Sequence, residues 1–324
     1  MPDIKKYKIT EPYLDLQCGL GEAPFWEKDR NTLRFVDIVK QKLHFVNLTE
    51  GPSSHKQRDL NFNIGTTADI EGNDKEFVFG GKLGYGIMNR ETGESRWIQK
   101  MWTDEERKPD GGGKPGKGET REVRMRSNDG SVDVKGRYFV GAMNDPAVVD
   151  APTDEGVLFR LDPDGSIHRM KDSVSIPNGM SWTLDNKFMY FTDSPTGKIM
   201  KYPYDVETGT PSWDKGETFF TCPIEGGVPD GHAQDEEGFF WVALFGTGKV
   251  VRVNTEGEVV AEIECPTRCV SCPGFAGTEL FITSAEEESP GDYPWSTKYQ
   301  GGLFKIDVGV RGCPLNRYKY EPKA

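Results

Sequence analysis

One phrase of sequence recurs six times along the chain, and that repeat limits the possible folds more than any single motif. Each copy is a polar turn, an alternating apolar strand, a short polar or glycine link and a second strand. The copies run Trp26 to Asp37 with Lys42 to Asn47, Asp69 to Phe79 with Tyr85 to Asn89, and Val132 to Val140 with Gly156 to Asp162. They continue with Thr183 to Thr192 and Lys198 to Tyr202, Gln234 to Val242 and Lys249 to Asn254, and Phe275 to Thr283 and Gly302 to Asp307. Their spacing of about 40–65 residues is that of propeller blades and solenoid repeats. No stretch carries a sustained helical period, so no helix covers the hairpin faces and neighbouring copies must stack on each other. Six four-stranded units set radially predict an all-β, six-bladed β-propeller with a central channel, one domain over residues 1–324. A large sandwich or a β-helix is the competing fold, but β-helix repeats are shorter. A polar, glycine-rich stretch at about 103–120, centred on Gly111 to Gly118, reads as an insertion between the second and third copies.

Composition supports a turn-rich globule. The 38 glycines in 324 residues are about 12% against a usual 7% or so. With 18 Phe, 11 Tyr and 7 Trp there is ample core material. The formal net charge of −12 argues against nucleic acid, whose phosphates need a basic face, and against anionic lipid. No stretch approaches the roughly 18–20 apolar residues of a membrane span. The first residues are basic but run into Ile9-Thr10-Glu11-Pro12 rather than an apolar core, which is not the pattern of a secretory leader. Six cysteines do not form a disulfide framework, so a cytoplasmic, reducing compartment is expected.

A second regularity lies about ten residues upstream of the first strand of each copy. There stand Gly21-Glu22-Ala23-Pro24, Asn128-Asp129-Gly130, Pro177-Asn178-Gly179 and Pro229-Asp230-Gly231. Asp-Gly and Asn-Gly are ordinary turn dipeptides. In a propeller, however, equivalent positions converge on the axis, so these turns before the innermost strands are expected to aim Glu22, Asp129, Asn178 and Asp230 at one opening. Converging carboxylates repel unless something neutralises them. An all-oxygen set suits one hard divalent cation, Ca²⁺, Mg²⁺ or Mn²⁺; Zn²⁺ prefers His or Cys but can bind carboxylates. Coordination positions left to water and substrate mark a catalytic metal.

Gly21-Glu22-Ala23-Pro24-Phe25-Trp26, Arg126-Ser127-Asn128-Asp129-Gly130, Ile176-Pro177-Asn178-Gly179-Met180-Ser181-Trp182 and Val228-Pro229-Asp230-Gly231 resemble, in order, the signature turns of the regucalcin/gluconolactonase family, from about Leu20 to Asp307. The resemblance implies a six-bladed propeller that hydrolyses a sugar (aldono-) lactone, with one divalent metal in the channel. It implies Glu22, Asn178 and Asp230 as metal ligands, Asp230 also as general base, and Arg126 and Asn128 as the grip on the sugar. It further implies a small-molecule partner in carbohydrate metabolism and a monomer or small homo-oligomer. One departure stands out. Animal members carry a Glu-Glu pair where this chain has Asn144-Asp145-Pro146, and Asp145 is expected to replace the acidic substrate contact with a shorter reach. Asp193 reads equally as a substrate contact, a support for the ligands or a turn residue.

Other motifs are weaker. Cys265, Cys269 and Cys272 have an iron–sulfur spacing without the α/β barrel that uses it. Gly111 to Lys117 lacks the Ser or Thr and the strand of a phosphate loop. Asp162-Pro163-Asp164-Gly165 lacks the helices of an EF-hand and reads as a hairpin turn. His44, His55, His168 and His232 show no metal spacing, and His232 is expected to be a turn residue. No G-x-S-x-G is present. The rival functions are metal-dependent phosphotriester or ester hydrolysis and a non-catalytic calcium-binding propeller, because fold alone does not give function.

Overall fold

The computed structural model describes residues 4–108, 120–149 and 153–322. Six antiparallel sheets follow one another along the chain, and each repeated strand pair supplies the second and third strands of one of them. Blade 1 comprises Gly21–Glu27, Thr32–Asp37, Lys42–Asn47 and Lys56–Asp59, and blade 2 comprises Ile64–Ile70, Asn73–Gly81, Gly84–Asn89 and Ser95–Lys100. Blade 3 comprises Met125–Val132, Tyr138–Asn144, Gly156–Leu161 and Ile167–Val174. Blade 4 comprises Pro177–Trp182, Phe188–Asp193, Lys198–Asp205 and Glu217–Thr221, with Thr210–Pro211 added beside its third strand. Blade 5 comprises Val228–Gln234, Phe240–Phe245, Lys249–Val253 and Val259–Glu264. Blade 6 comprises Val270–Ala276, Glu279–Ser284 and Phe304–Asp307. Each first strand packs against the first strands of both neighbouring blades, so the six close a ring: a six-bladed β-propeller.

Burial follows from that ring. The second strand of blade 3, Tyr138–Asn144, is buried at every residue, because neighbouring blades cover both its faces. The fourth strands are largely exposed, as at Lys56–Asp59. The core therefore lies between blades, in clusters such as Tyr85, Met125, Tyr138 and Phe159. Each such side chain contributes about 1.5–3 kcal/mol on burial. Between blades 1 and 2 sits a buried ionic square. Arg34, fully buried, pairs with Glu27 and Asp69, and Arg90 pairs with the same two carboxylates. The Arg34 guanidinium lies 4.8 Å from the Phe25 ring centre and 4.2 Å from that of Phe77, which adds a cation–π contact to the charge pairing.

Closure uses the chain termini, which the repeats do not foretell. Lys5–Lys8 pairs in parallel with Val259–Glu264 of blade 5. Leu14 then bridges Leu303 of blade 6, and Cys18 N–H donates to the Gly301 carbonyl at 2.9 Å. At the other end, Gly312 bridges Asp235, and Tyr318 N–H donates to the Asp69 carbonyl, so this segment ties blades 5 and 2. The Gly111–Gly118 stretch lies outside the described residues. No helix among the described residues is long and apolar enough to cross a membrane.

The Asx-Gly pairs are not turns before the innermost strands, as the sequence suggests, but register breaks inside them. The breaks fall at Glu22/Phe25, Ile64/Thr66, Ser127/Gly130, Asn178/Met180, Pro229/His232 and Val270/Pro273. The glycines there answer a demand for space, since an added Cβ at Gly130, Gly179 or Gly231 would meet Phe139, His232 or Cys272. The bulge at each break kinks the strand and re-aims its side chains.

Candidate functional site

The bulges bring the expected residues together on the innermost strands. Glu22, Arg126, Asn128, Asn178 and Asp230 are all buried. A directed chain of hydrogen bonds sets the amides. The Ser194 hydroxyl donates to the Pro229 carbonyl at 2.7 Å, so its lone pair accepts from Asn178 Nδ2 at 2.8 Å. Asn178 Oδ1 must then face the other way, where Asn128 Nδ2 donates to it at 2.8 Å and to the Pro177 carbonyl at 3.0 Å. Asn128 Oδ1 accepts from Arg126 at 2.7 Å, and the same guanidinium nitrogen reaches the Ser127 carbonyl at 2.9 Å. Only one orientation of each amide satisfies this chain.

Charge at the site is unbalanced. Glu22, Asp129 and Asp230 feel one another electrostatically, and Arg126 is the one cation acting on both Glu22 and Asp230. Burial holds the Glu22 carboxyl well above the usual range, helped by Asp230 and Asp129. Burial does the same to Asp230, with Asp129 adding to it. Asp129, partly open along the channel, is pushed to about 6 by loss of water. Burial lowers the Arg126 guanidinium, and Asp145, Glu22 and Asp230 hold it up. Buried carboxylates facing each other with amide oxygens alongside fit a hard divalent cation, which would replace the missing positive charge.

Asp145 lies beside Arg126, but its carboxylate is engaged: Lys82 Nζ donates to Oδ2 at 2.6 Å and Ala147 N–H to Oδ1 at 3.1 Å. Asp193 is a backbone cap, accepting from the N–H groups of Ser175 and Ile176 that lead into Pro177 and Asn178. His232 is not a turn residue. It sits in the innermost strand of blade 5, with Nε2 2.7 Å from Ser181 Oγ. The sequence also left Ser194 and Lys82 unremarked, and it read Cys272 only as part of a cysteine spacing. Each comes from a loop or strand whose role depends on a neighbouring blade, and no spacing within one repeat reveals that. A cavity of about 340 Å³ has Asp129, Ser181, His232, Cys272 and Asn316 among its lining residues. It includes none of Glu22, Arg126, Asn128, Asn178 or Asp230, and Asp129 is the member of the acidic set that lines it.

Ser194→Ala removes the group that orients Asn178. The expected result is a 10–100-fold weaker divalent-cation affinity, in the range found for groups that orient ligands, with an unchanged fold, checked by calorimetric titration with Ca²⁺. An unchanged affinity would mean that Asn178 is not a ligand.

Fold and site together define a propeller with an oxygen-lined, acidic channel mouth. Residues 20–286 match the family model described as SMP-30/Gluconolactonase/LRE-like region, and the chain belongs to that family. Regucalcin of Xenopus laevis is 31% identical over 303 residues, covering 90% of this chain and 92% of that one. A pentonolactonase of Haloferax volcanii is 31% identical over 308 residues, covering 93% and 95%. Among solved structures, a calcium-binding regucalcin from Agrobacterium tumefaciens superposes with a TM-score of 0.80 at 25% identity, covering 98% of each chain.

Proposed function

We propose that the chain hydrolyses a sugar (aldono-) lactone to the open aldonic acid, with one divalent cation held by Glu22, Asn178 and Asp230. The carrying observation is the set of buried, mutually repelling carboxylates beside one guanidinium and a fixed pair of amides. Lactone hydrolysis by the pentonolactonase relative supports the reaction class. A calcium-binding regucalcin relative and the oxygen-only donors favour Ca²⁺ over Zn²⁺.

A cation bound there would polarise the lactone carbonyl and stabilise negative charge on its oxygen. The protein's own groups do the rest. Asp230 accepts a proton from the attacking water as the water oxygen adds to the carbonyl carbon. The ring C–O bond then breaks, and the same proton returns to the departing alkoxide, giving a hydroxyl and a carboxylic acid, which loses the second water proton to solvent as it ionises to the carboxylate. A cation beside Asp230 would hold its carboxyl down and make it a weak base, which a lactone, an activated ester, tolerates. Arg126, oriented by Ser127 and Asn128, supports the charge on the carbonyl oxygen and holds the sugar. Asp145, balanced by Lys82, takes a sugar hydroxyl on its remaining lone pairs.

The test is a panel of aldonolactones and phosphotriesters, run with chelator and metal add-back. Lactone hydrolysis should be lost with chelator and restored by Ca²⁺, Mn²⁺ or Mg²⁺. Phosphotriester turnover above lactone turnover would overturn the substrate class. Stoichiometric Ca²⁺ binding with no hydrolysis of any lactone would make this a non-catalytic calcium-binding propeller.

A further inference from the structure

A second cluster of metal-binding side chains lies in blade 1, apart from the channel carboxylates. Cys18, Asp37 and His44 are each at most 3% exposed, and their ligand atoms all lie within 4.8 Å of one another. Among the described residues this is the one group of three or more His, Cys, Asp and Glu donors drawn so tightly together. We propose that these three residues form a second metal site for a borderline-soft ion such as Zn²⁺.

Geometry and chemistry agree on this. Cys18 Sγ and His44 Nε2 are 3.9 Å apart, whereas two such ligands on a tetrahedral zinc, with bonds of about 2.3 and 2.0 Å, stand roughly 3.6 Å apart. The other ring nitrogen, His44 Nδ1, lies 3.0 Å from His55 Nε2. That contact lets Nδ1 carry the proton and donate it to His55, leaving the Nε2 lone pair directed at Cys18, the usual arrangement of a metal-bound histidine. The His44 ring is fixed by stacking on Phe35, with centres 4.8 Å apart and planes 9° from parallel. Asp37 Oδ1 accepts from the N–H groups of Leu20 and Lys40 and Oδ2 from that of Gly19, and the Cys18 thiol hydrogen-bonds to the same carboxylate, so Cys18, Asp37 and His44 are already in mutual contact.

The repeat supplies an internal control. Strand registers place Asp37 level with Asp193 of blade 4, Cys18 with Val174 and His44 with Met200. Asp193 makes the same backbone cap, with apolar side chains where blade 1 has a thiol and an imidazole. Capping therefore accounts for the aspartate but not for its two companions. On binding, the Cys18 thiol releases its proton to solvent, and the ion takes thiolate, imidazole and carboxylate. Cys18 sits on the segment that bonds to Gly301 of blade 6, whereas Asp37 and His44 belong to the second and third strands of blade 1. The ion would thus clamp the seam where the ring closes, three residues before Gly21.

The full chain, stripped with chelator, is titrated with Co²⁺ as a spectroscopic probe. A thiolate-to-cobalt charge-transfer band in the near ultraviolet is expected in the wild type and in Asp230→Ala, and it should be lost in Cys18→Ser and weakened in His44→Gln. Absence of the band in the wild type, or its survival in a folded Cys18→Ser protein, overturns the proposal. A zinc anomalous-difference map of wild-type crystals decides independently of any variant. A peak between Cys18, Asp37 and His44 supports the site, and its absence with zinc present in the soak overturns it. Because Asp230→Ala abolishes only the channel cation, failure of either site is read separately.

Discussion

Asp230→Asn should abolish lactone hydrolysis while making the metal-free protein more stable. As ligand and base together, Asp230 is expected to supply at least about 10³-fold in kcat/KM, or about 4 kcal/mol. The stability change has the opposite sign because the carboxylate is buried among like charges. Its folded pKa is raised by burial and by Asp129, above an unfolded value of about 4. For such an acid the native state binds the proton more tightly. The penalty is absent below the unfolded pKa, grows as pH rises through the interval between the two values and is complete above the folded one. The variant should therefore melt above wild type near neutral pH in chelator, and the two should converge as pH falls toward 4. Excess divalent cation should reverse the order, since a ligand at 100 times its Kd adds about 2.7 kcal/mol to the wild type alone. Scanning calorimetry with and without chelator, beside a lactonase assay, checks all three parts. Wild-type turnover by Asp230→Asn would remove Asp230 from the reaction.

The same opposition explains what could be read from sequence. The blade count was legible because alternation within strands and the recurrence of one phrase survive in linear order. The shared motif of Glu22, Asp129, Asn178 and Asp230 was legible because it recurs in linear order where four innermost strands break register, whereas Asn128 was singled out only by the family resemblance. What stayed hidden depends on contacts between repeats. Ser194 acts through Asn178 and the blade 5 carbonyl of Pro229, and Lys82 of blade 2 meets Asp145 of blade 3 across 63 residues of chain. Cys18, Asp37 and His44 carry no ligand spacing, because the three come from a closing segment and two adjacent strands. The ends of the chain add strand and bridge contacts that no copy of the repeat contains.

Gly65→Ala should damage catalysis from a blade that supplies none of the proposed cation or substrate contacts. A Cβ at Gly65 would stand 2.1 Å from the carbonyl oxygen of Asn128, and 2.8 Å from both the Asn128 nitrogen and the Ser127 carbonyl carbon. All three are backbone atoms, so no rotamer change relieves the clash, and the innermost strand of blade 3 has to move. That strand carries Arg126 and Asn128. The Gly65 N–H also donates to Ser127 Oγ at 3.1 Å, and Ser127 in turn donates to the Gly80 carbonyl at 2.8 Å. Displacement by even about 1 Å costs roughly 100-fold in rate when it moves substrate-positioning groups. Overpacking costs about 1–3 kcal/mol in stability. Both losses are expected, with much of the kinetic loss in KM because Arg126 and Asn128 hold the substrate. Gly291→Ala is the control, since nothing lies within 4 Å of its added Cβ, and it should match wild type in melting temperature and rate. If Gly65→Ala also matches wild type, the blade 2 backbone does not set the position of Arg126 and Asn128.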